Sequence, residues 1–343
     1  MHQIKRTIRP WYHGLVSYLG ACRFLFPSKK MRVVGVTGTK GKSTVIQMIV
    51  SIARTAGWTV GYSSSIGFSD GKTDQNNSLR NSMPGRFRLH RLMAQAKRNG
   101  AQLFVVESTS EGLAQNRHKG IHYDIGVFTN LYPEHIQSHG SFEAYKKAKS
   151  LLFTSVAKNS SKNLQTEIIH SHNVLNGEGD YASYYAECGA VPAIYVGLND
   201  NNWDIRAHIQ SQQKTGTTFE VHSPNIAETP QITLPVTGDF NVINALLAIG
   251  VARQLQLEIS PIVQGLEQLS VVPGRMEIVA HQPLVIVDYA HIPEALEAVY
   301  SELHERWKTS DNKLIAVLGS CGGGRDTWKR EPMGQVAGEY ADY

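Results

Sequence analysis

The chain has 343 residues, of which 41% are hydrophobic and 18% are charged. This composition excludes an intrinsically disordered protein, because it supplies enough apolar side chains for the cores of two ordinary domains. The formal net charge is only +5 and the basic residues are dispersed, so a small polyanionic ligand accounts for it and we expect no nucleic acid as a partner. Three widely spaced cysteines without a CxxC pair argue against a disulfide framework or a structural zinc site and favour a cytoplasmic location.

Residues 1–31 are predicted to form a short apolar helical extension. Its apolar run, from Trp11 to Pro27, is interrupted by His13 and Arg23 and is shorter than the roughly 20 residues that a membrane span requires. No small-residue cleavage site follows a clean apolar core, as a secretory signal peptide would need. We therefore expect no stable membrane insertion, and the extension either docks on the body of the protein or contacts a membrane surface.

A strand, a glycine loop and a helix are predicted between Arg32 and Ala53. The loop is TGTKGKST, residues 37–44, in which glycines let backbone N–H groups surround a phosphate, Lys42 can reach the terminal phosphates and Ser43 can bind Mg²⁺. It departs from the Walker pattern because Val36 occupies the first glycine position. A glycine turn without a ligand is the alternative, which the order strand, Gly-Lys-Ser, helix disfavours.

The next segments carry fewer signals. Gly57 to Tyr62 is predicted as a short strand, and the polar stretch from Ser63 to Asn81 as a loop that could face a ligand. A helix is predicted to follow Pro84-Gly85 and to end near Asn99-Gly100.

Two continuous apolar runs then predict strands buried in a parallel sheet, each ending in polar residues. Leu103 to Val106 leads to Glu107, and Ile125 to Phe128 leads to His135 and a helix with several lysines. Ligands of open α/β sheets bind at the carboxyl ends of the strands, where a carboxylate can hold Mg²⁺. A lone acid at a strand end could equally be a solvated residue.

Alternating strands and helices at this spacing indicate an α/β fold with a doubly wound, mostly parallel sheet. Residues 216–221 alternate in polarity and predict an antiparallel extension, and a long apolar helix is expected through Ala252. Pro273-Gly274-Arg275 marks a predicted domain boundary, giving a central domain at 32–272 and a second α/β unit at 273–343. In this second unit, strands are predicted at 284–287 and 314–318.

Seven segments in this order resemble the Mur ligases, and among them the UDP-N-acetylmuramoyl-tripeptide synthetases. They are VTGTKGKST, ESTSEGLAQNR, TNLYPEHIQSHGSFEAYKKAKSLLF, GDFNVIN, PGRME, DYAHIPEALE and GSCGGGRDTWKREPMG, and the resemblance covers residues 32–343. It implies a central P-loop ligase domain with a mostly parallel sheet and a smaller antiparallel sheet, followed by a partial Rossmann-like C-terminal domain.

The resemblance also implies a reaction and its cofactors. ATP, with Mg²⁺, would phosphorylate the terminal carboxylate of a UDP-muramoyl-peptide, and the amine of an incoming amino acid would attack the acyl phosphate. The catalytic groups would be Lys42, Glu107, His135 and Lys149. Ser43 and Glu107 would bind one Mg²⁺, and His135 and Lys149, the latter as a carbamate, would bind a second.

Further contacts follow from the same resemblance. The ATP site would comprise Gly38, Thr39, Lys40, Gly41, Lys42, Ser43, Thr44, Asn244, Arg275, Asp288, Tyr289 and His291. The muramoyl-peptide would contact Asn81, Ser82, Thr109, Gln115 and Arg117, and Arg325 would bind the carboxylate of the incoming amino acid. Without the resemblance, His291 could equally cap a helix and Asn244 could be a buried amide bonded to backbone.

Several features depart from the family pattern. Lys40 stands where many members have Asn, Glu134 replaces an Asp before the metal-binding histidine, and Glu111 stands where a His is usual. Only about thirty residues precede the phosphate loop, so we expect the usual N-terminal UDP-binding domain to be missing or replaced. The segment that selects the amino acid is expected beyond residue 343, which predicts a fragment, or a split enzyme whose partner chain supplies the rest.

The sequence is compatible with two other functions. A ligase related to folylpolyglutamate synthase, acting on another carboxylate, is favoured by the short N-terminus but disfavoured by ESTSEGLAQNR and by the segment around Lys149. A non-catalytic ATP-binding subunit is the second alternative.

Overall fold

A computed structural model describes residues 2–343 except 80, 86, 160, 165–166, 199–201, 225–227, 270–271 and 320–325, with only the backbone for residues 2–9. The helices are α1 (His2–Arg23), α2 (Lys42–Thr55), α3 (Arg88–Arg98), α4 (Ser110–Ala114), α5 (Ile136–His139), α6 (Phe142–Ala157), α7 (Ala182–Gly189), α8 (Asp239–Gln254), α9 (Ile259–Glu267), α10 (Pro293–Trp307) and α11 (Arg330–Tyr340). The strands are β1 (Arg32–Thr37), β2 (Val60–Ser63), β3 (Gly67–Asp70), β4 (Asp74–Asn76), β5 (Leu103–Glu107), β6 (Ile125–Phe128), β7 (Ser161–Leu164), β8 (Glu167–His170), β9 (His172–Asn176), β10 (Ala193–Leu198), β11 (Ile205–Gln213), β12 (Gly216–His222), β13 (Gln231–Leu234), β14 (Glu277–His281) and β15 (Leu284–Val287).

An eleven-stranded sheet forms the body of the protein, in the order β13-β12-β11-β10-β9-β6-β1-β5-β2-β3-β4. The seven strands from β11 to β2 in this order pair in parallel, and the strands at both edges pair antiparallel. The α/β prediction is confirmed. The antiparallel part, β12 and β13, continues the large sheet, while β7–β8 and β14–β15 are separate two-stranded hairpins.

Helices cover both faces of this sheet, as the doubly wound prediction requires. Successive residues of β1 point to opposite faces: Val33 packs into a core with α3, α6 and α7, and Val34 into a core with α2, α8 and α9. Both valines have no exposed surface. Burial on both faces explains why the central strands have continuous apolar sequences instead of alternating ones.

Two predictions about strands are wrong. The stretch from Ser63 to Asn81, predicted as a loop, contains the hairpin β3–β4, whose turn includes Gly71 with φ +86°. Only β4, which is fully exposed, lies at the edge of the sheet, and β3 pairs between it and β2. The stretch 314–318 has no assigned strand: its backbone hydrogen bonds join it to residues 342 and 343, and Leu314 and Ala316 pack partly buried against the core of α10 and α11. Val317 there is 98% exposed, so an apolar run alone did not create a strand.

Residues 273–343 form a smaller region with its own core. The predicted strand at 284–287 is confirmed as β15, which pairs antiparallel with β14. Helices α10 and α11 pack together around Leu296, Tyr300, Leu303 and Met333. The domain limits at 31/32 and 272/273 stay predictions.

The extension before β1 is helical, as predicted, and packs on the body. Helix α1 contacts α3, and a 3-10 turn at Pro27–Lys30 joins it to β1. Within the part of the chain that the structure describes, no helix has both the length and the apolar character needed to cross a membrane.

Candidate functional site

The predicted phosphate loop connects β1 to the first turn of α2. Two of its glycines have positive φ, +147° at Gly38 and +80° at Gly41, which side chains rarely adopt. Space is also limiting. A Cβ at Gly38 would lie 1.9 Å from Thr129 Oγ1, and a Cβ at Gly41 would lie 2.5 Å from Asn244 Oδ1. Both glycines are therefore required for this loop shape, which leaves the N-terminus of α2 open to an anion.

The end of β6 fixes the position of this loop. Asn130 accepts hydrogen bonds from the backbone N–H of Thr39 (3.0 Å, to its carbonyl oxygen) and of Lys40 (2.8 Å, to Oδ1). Thr129 donates from Oγ1 to the Lys40 carbonyl at 2.6 Å, and Tyr145 Oη lies 3.0 Å from Thr39 Oγ1. Sequence reasoning missed these supporting residues. The signal was present, because Thr129-Asn130 follows a buried strand directly.

Ser43 and Glu107, predicted to share a metal ion, are brought together. The Ser43 hydroxyl donates to Glu107 Oε2 at 3.0 Å, and the Ser65 backbone N–H donates to the same oxygen at 2.6 Å. Glu107 is only 3% exposed. A hydroxyl and a carboxylate next to an anion site are hard oxygen donors, so the pair fits Mg²⁺, which normally completes its shell with water and phosphate oxygens.

Two lysines converge on the carbonyl of Gly38. Lys42 Nζ donates to it at 3.1 Å and Lys149 Nζ at 2.7 Å, the latter from helix α6. Lys149 is 2% exposed and its Nζ lies 4.4 Å from the centroid of the Tyr145 ring. Burial, and after it the positive charge of Lys42, lowers the pKa of Lys149 well below its ordinary value. The amine is therefore easily deprotonated and nucleophilic.

His135 follows β6 and begins helix α5 in a left-handed conformation, with φ +57°. Its ring centroid lies 6.0 Å from that of Tyr145, and its side chain is 44% exposed. Partial burial lowers the pKa of the imidazole, which favours the neutral form that binds metals. No group of three or more His, Cys, Asp or Glu side chains suited to a metal ion occurs among the described residues. The predicted magnesium sites depend instead on Ser43, Lys149 and single acidic or histidine residues.

Glu134 links the phosphate loop to the C-terminal region. Its Oε1 lies 3.3 Å from Lys40 Nζ and 2.6 Å from His291 Nε2, and Lys40 Nζ lies 3.1 Å from the same His291 nitrogen. Burial alone would raise the pKa of Glu134, but the hydrogen bond with His291 and the charge of Lys40 hold it well below its usual value. Burial lowers the pKa of Lys40 to about 8, although Glu134 opposes this.

The other predicted nucleotide residues lie near this link. Asn244 is 5% exposed and its Oδ1 borders Gly41, so the amide packs on the loop. The Arg275 guanidinium lies 4.9 Å from the Tyr289 ring centroid, and its charge helps lower the pKa of Lys42. Asp288 accepts hydrogen bonds from the backbone N–H of residues 276 and 290 and thereby shapes the turn.

The predicted muramoyl-peptide residues lie in two neighbouring turns. Arg117 joins them, because its Nη1 donates to the Met83 carbonyl at 2.8 Å and its Nη2 to Gln115 Oε1 at 2.7 Å. Ser82 accepts a hydrogen bond from Ser63 at its carbonyl oxygen, Asn81 Oδ1 accepts one from the backbone N–H of residue 83, and Thr109 caps α4. Their role in binding stays a prediction, and Arg325 lies outside the described residues.

Comparison with known proteins gives a consistent result. The family model of the Mur ligase middle domain matches residues 36–252, and that of the Mur ligase glutamate ligase domain matches residues 274–343. UDP-N-acetylmuramoyl-L-alanyl-D-glutamate--2,6-diaminopimelate ligases are similar: the Bacillus licheniformis protein is 35% identical over 92% of this chain and 62% of its own length. The Coxiella burnetii protein is 33% identical with the same coverage. The chain thus spans about 62% of these relatives.

Solved structures agree on the fold. A structure of a ligase with the same name has a TM-score of 0.68 at 28% identity, covering 91% of this chain and 60% of that one. The apo form of L. casei FPGS has a TM-score of 0.68 at 15% identity, covering 95% of this chain and 81% of that one, which shows a shared fold only. The matched family model covers more than half of the chain and includes the phosphate loop, Glu107, His135 and Lys149. The chain therefore belongs to the Mur ligase family.

Proposed function

We propose that the protein is an ATP-dependent carbon–nitrogen ligase of peptidoglycan precursor synthesis, which adds an amino acid to a UDP-N-acetylmuramoyl-dipeptide and releases ADP and phosphate. The observation that carries this proposal is the convergence of Lys42 and Lys149 on the Gly38 carbonyl, beside the Ser43–Glu107 pair. A phosphate loop alone would support any nucleotide-binding function. A buried lysine of lowered pKa that reaches the loop from another helix is the additional feature of a ligase site.

Most of the catalytic work in this reaction is electrostatic positioning. The backbone N–H groups at the start of α2 and the Lys42 ammonium would hold the phosphates of ATP and favour the charge that develops during transfer to the substrate carboxylate. The acyl phosphate so formed would then lose phosphate when the amine of the amino acid attacks its carbonyl carbon. Arg275 adds positive charge near the same phosphates.

We propose magnesium at the two places that the resemblance predicts. Ser43 and Glu107 would hold one ion, and His135 with Lys149 as a carbamate would hold the other; bound there, magnesium neutralises phosphate charge. The lowered pKa of Lys149 supports the carbamate, because only an uncharged amine can attack carbon dioxide. Lys149 Nζ already lies within the site, so the modification needs no large movement.

The remaining predicted contacts belong to the same proposal. Four of them would surround the nucleotide. Asn244 lies beside the phosphate loop, and the contact between His291 and Lys40 holds the turn that carries Asp288, Tyr289 and His291 next to that loop. The turns joined by Arg117 would bind the muramoyl-peptide. Since ATP and nucleotide-linked precursors are cytoplasmic, we expect the reaction there. The comparisons lend no support to a partner chain, and the proposal does not include one.

Product formation tests the proposal directly. The purified chain is incubated with ATP, Mg²⁺, UDP-N-acetylmuramoyl-L-alanyl-D-glutamate and either diaminopimelate or lysine, and ADP release and product mass are measured. We expect ADP release only when both acceptor and amino acid are present. A folate with glutamate, supplied in a parallel reaction, tests the folylpolyglutamate-type alternative. ATP binding without turnover on any acceptor would contradict the ligase assignment and favour a non-catalytic nucleotide-binding role.

A further inference from the structure

Helix α1 presents an apolar stripe at the surface of the described structure, in which only Tyr18 has an aromatic neighbour, the Phe26 ring at 5.8 Å. Trp11, Leu15, Tyr18 and Leu19 are 80%, 61%, 51% and 48% exposed. Their spacing of four, three and one residues places them on one side of a helix. We call these four residues the outer face of α1. Single exposed apolar residues are ordinary, but a stripe of this kind marks an interaction surface.

The opposite side of α1 is attached to the body, which fixes the direction of the outer face. It consists of small residues, among them Gly14, Ser17 and Ala21. The Ser17 hydroxyl lies 2.8 Å from the Arg117 carbonyl oxygen and 3.0 Å from that of Lys119. A Cβ at Gly14 would lie 3.0 Å from Asn116 Cβ, so the helix sits close to the body. The outer face is therefore presented outward by a docked helix, and it is not the random surface of a loose terminus.

The charge around this helix is of one sign. Residues 1–31 contain no Asp or Glu and six basic residues, namely Lys5, Arg6, Arg9, Arg23, Lys29 and Lys30. Of those whose side chains the structure describes, Arg23, Lys29 and Lys30 are exposed. A second copy of the chain would bring an equally basic segment against this one. An anionic surface is the complementary occupant, and each Lys or Arg near such a surface strengthens binding.

We propose that the outer face of α1 binds the surface of an anionic phospholipid bilayer, with the helix lying flat in the headgroup region. Trp and Tyr prefer this interfacial depth, Leu15 and Leu19 would enter the acyl boundary, and the flanking basic residues would contact headgroup phosphates. Because the small residues of α1 pack on the body, its large apolar residues stay free to contact a membrane at the same time. This inference concerns location and is independent of the proposed ligase reaction.

Vesicle flotation with the full chain tests this proposal. We expect binding to vesicles of phosphatidylcholine with about one third phosphatidylglycerol, little binding to phosphatidylcholine alone, and loss of binding in high salt. Replacing three outer-face residues (Trp11→Ser, Leu15→Ser, Tyr18→Ser) should weaken binding at least about tenfold. The matched control replaces three apolar residues that are exposed elsewhere (Ile168→Ser, Val279→Ser, Leu284→Ser) and should leave binding within about twofold.

The charge contribution has its own pair of variants. Removing three basic residues of the extension (Arg23→Gln, Lys29→Gln, Lys30→Gln) should weaken binding about a hundredfold, whereas Lys72→Gln, Arg98→Gln and Lys158→Gln together should change it little. Circular dichroism and melting temperature confirm that each variant is folded. Absence of binding to anionic vesicles, or unchanged binding of the outer-face variant, would overturn the proposal. So would a dimer in sedimentation that the outer-face variant dissociates, since a second copy would then occupy the face.

Discussion

Two buried lysines lie at opposite ends of the central strands, one where the strands begin and one where they end, and they differ in their partners. Lys162, at the edge where β1 and β6 begin, has Asp124 Oδ2 at 2.6 Å from its Nζ and also donates to the Ser28 carbonyl at 2.9 Å. Lys149, at the edge where β1 ends, donates to the Gly38 carbonyl, and among the described residues no carboxylate lies within 4.0 Å of its Nζ. Within the described residues, Lys162 thus has an ionic partner, whereas Lys149 has a hydrogen bond but no ionic partner.

The difference separates a structural role from a functional one. A buried charge is tolerated when an opposite charge and hydrogen bonds satisfy it, as Asp124 does for Lys162. Where the strands end, Lys40, Lys42 and Lys149 lie together near only two carboxylates, Glu107 and Glu134, so a bound anion would stabilise their positive charge further. The fold thus keeps its unsatisfied positive charge where nucleotide phosphates are proposed to bind. Such local conflicts are expected at functional sites.

The largest effect is expected for Lys162→Met, which tests the structural role of the Lys162–Asp124 pair. It leaves Asp124 buried without its partner, and we expect the free energy of unfolding to fall by about 3–5 kcal/mol. The double variant Asp124→Asn/Lys162→Met should recover part of this loss, because no unpaired charge remains. Urea denaturation followed by circular dichroism measures both. Equal destabilisation by the single and double variants would contradict the pairing argument.

The variant Lys149→Ala tests the proposed functional role of Lys149. We expect a loss of ligase activity of about 10²–10³-fold, since a charged group at the transferring phosphate is removed. Folding stability should decrease less than in Lys162→Met, because no buried carboxylate is left without its partner. Short carboxylic acids should partly restore activity if Lys149 acts as a carbamate.

Lys146→Ala and Lys147→Ala, on the same helix, serve as controls with near-normal activity expected. Full activity of Lys149→Ala would remove this residue from the site.

The link through Glu134 predicts a measurable coupling between distant segments. In a double-mutant cycle with Lys40→Met and Glu134→Gln, we expect a coupling energy of about 1–2 kcal/mol in the free energy of unfolding. The pair Glu143 and Lys146, whose carboxylate is 72% exposed, is the matched control, with an N–O distance of 2.8 Å and an expected coupling below about 0.5 kcal/mol. Additive effects at Lys40 and Glu134 would show that their contact contributes nothing.

Buried histidines near the docked side of α1 predict a pH dependence. Burial lowers the pKa of His90, of His118 and of His122 to about 4, below the ordinary value of 6.5. Between pH 4 and pH 6.5, the unfolded chain therefore binds more protons than the native state. The free energy that these neutral histidines contribute to stability is fully present above pH 6.5 and is lost as the pH falls towards 4. His90→Gln should reduce the slope by up to about 1.4 kcal/mol per pH unit. An unchanged slope, from denaturation at several pH values, would exclude His90 as a contributor.

Much of the fold could be predicted from the sequence because its signals are local. The strands β1, β5 and β6 are continuous apolar runs, and the loop of residues 37–44 has a spacing tied to phosphate chemistry. The strand predicted at 314–318 is wrong because an apolar run forms a strand only where a partner is available. The hairpin β3–β4 was missed for the opposite reason, since edge strands can be polar and still pair.

The site shows a similar division. Ser43 and Glu107 could be placed together, because both follow neighbouring strands of a parallel sheet. The contact of Glu134 with Lys40 and His291 could not, since it joins residues that are 94 and 157 positions apart and depends on how the C-terminal region packs. Asn130 and Tyr145 support the loop through hydrogen bonds that no motif records. Sequence patterns identify the groups that do chemistry better than those that hold them in place.

The hydrogen bond from Lys149 to Gly38 has a consequence for chemical modification. An amine that becomes a carbamate keeps one hydrogen on its nitrogen, and one hydrogen is all that the Gly38 carbonyl requires. The same anchor can therefore hold the lysine before and after carbon dioxide adds, while the new carboxylate extends away from the nitrogen. The glycine loop would act as a fixed support on which the side chain changes from an uncharged amine to an anionic carbamate without changing its position.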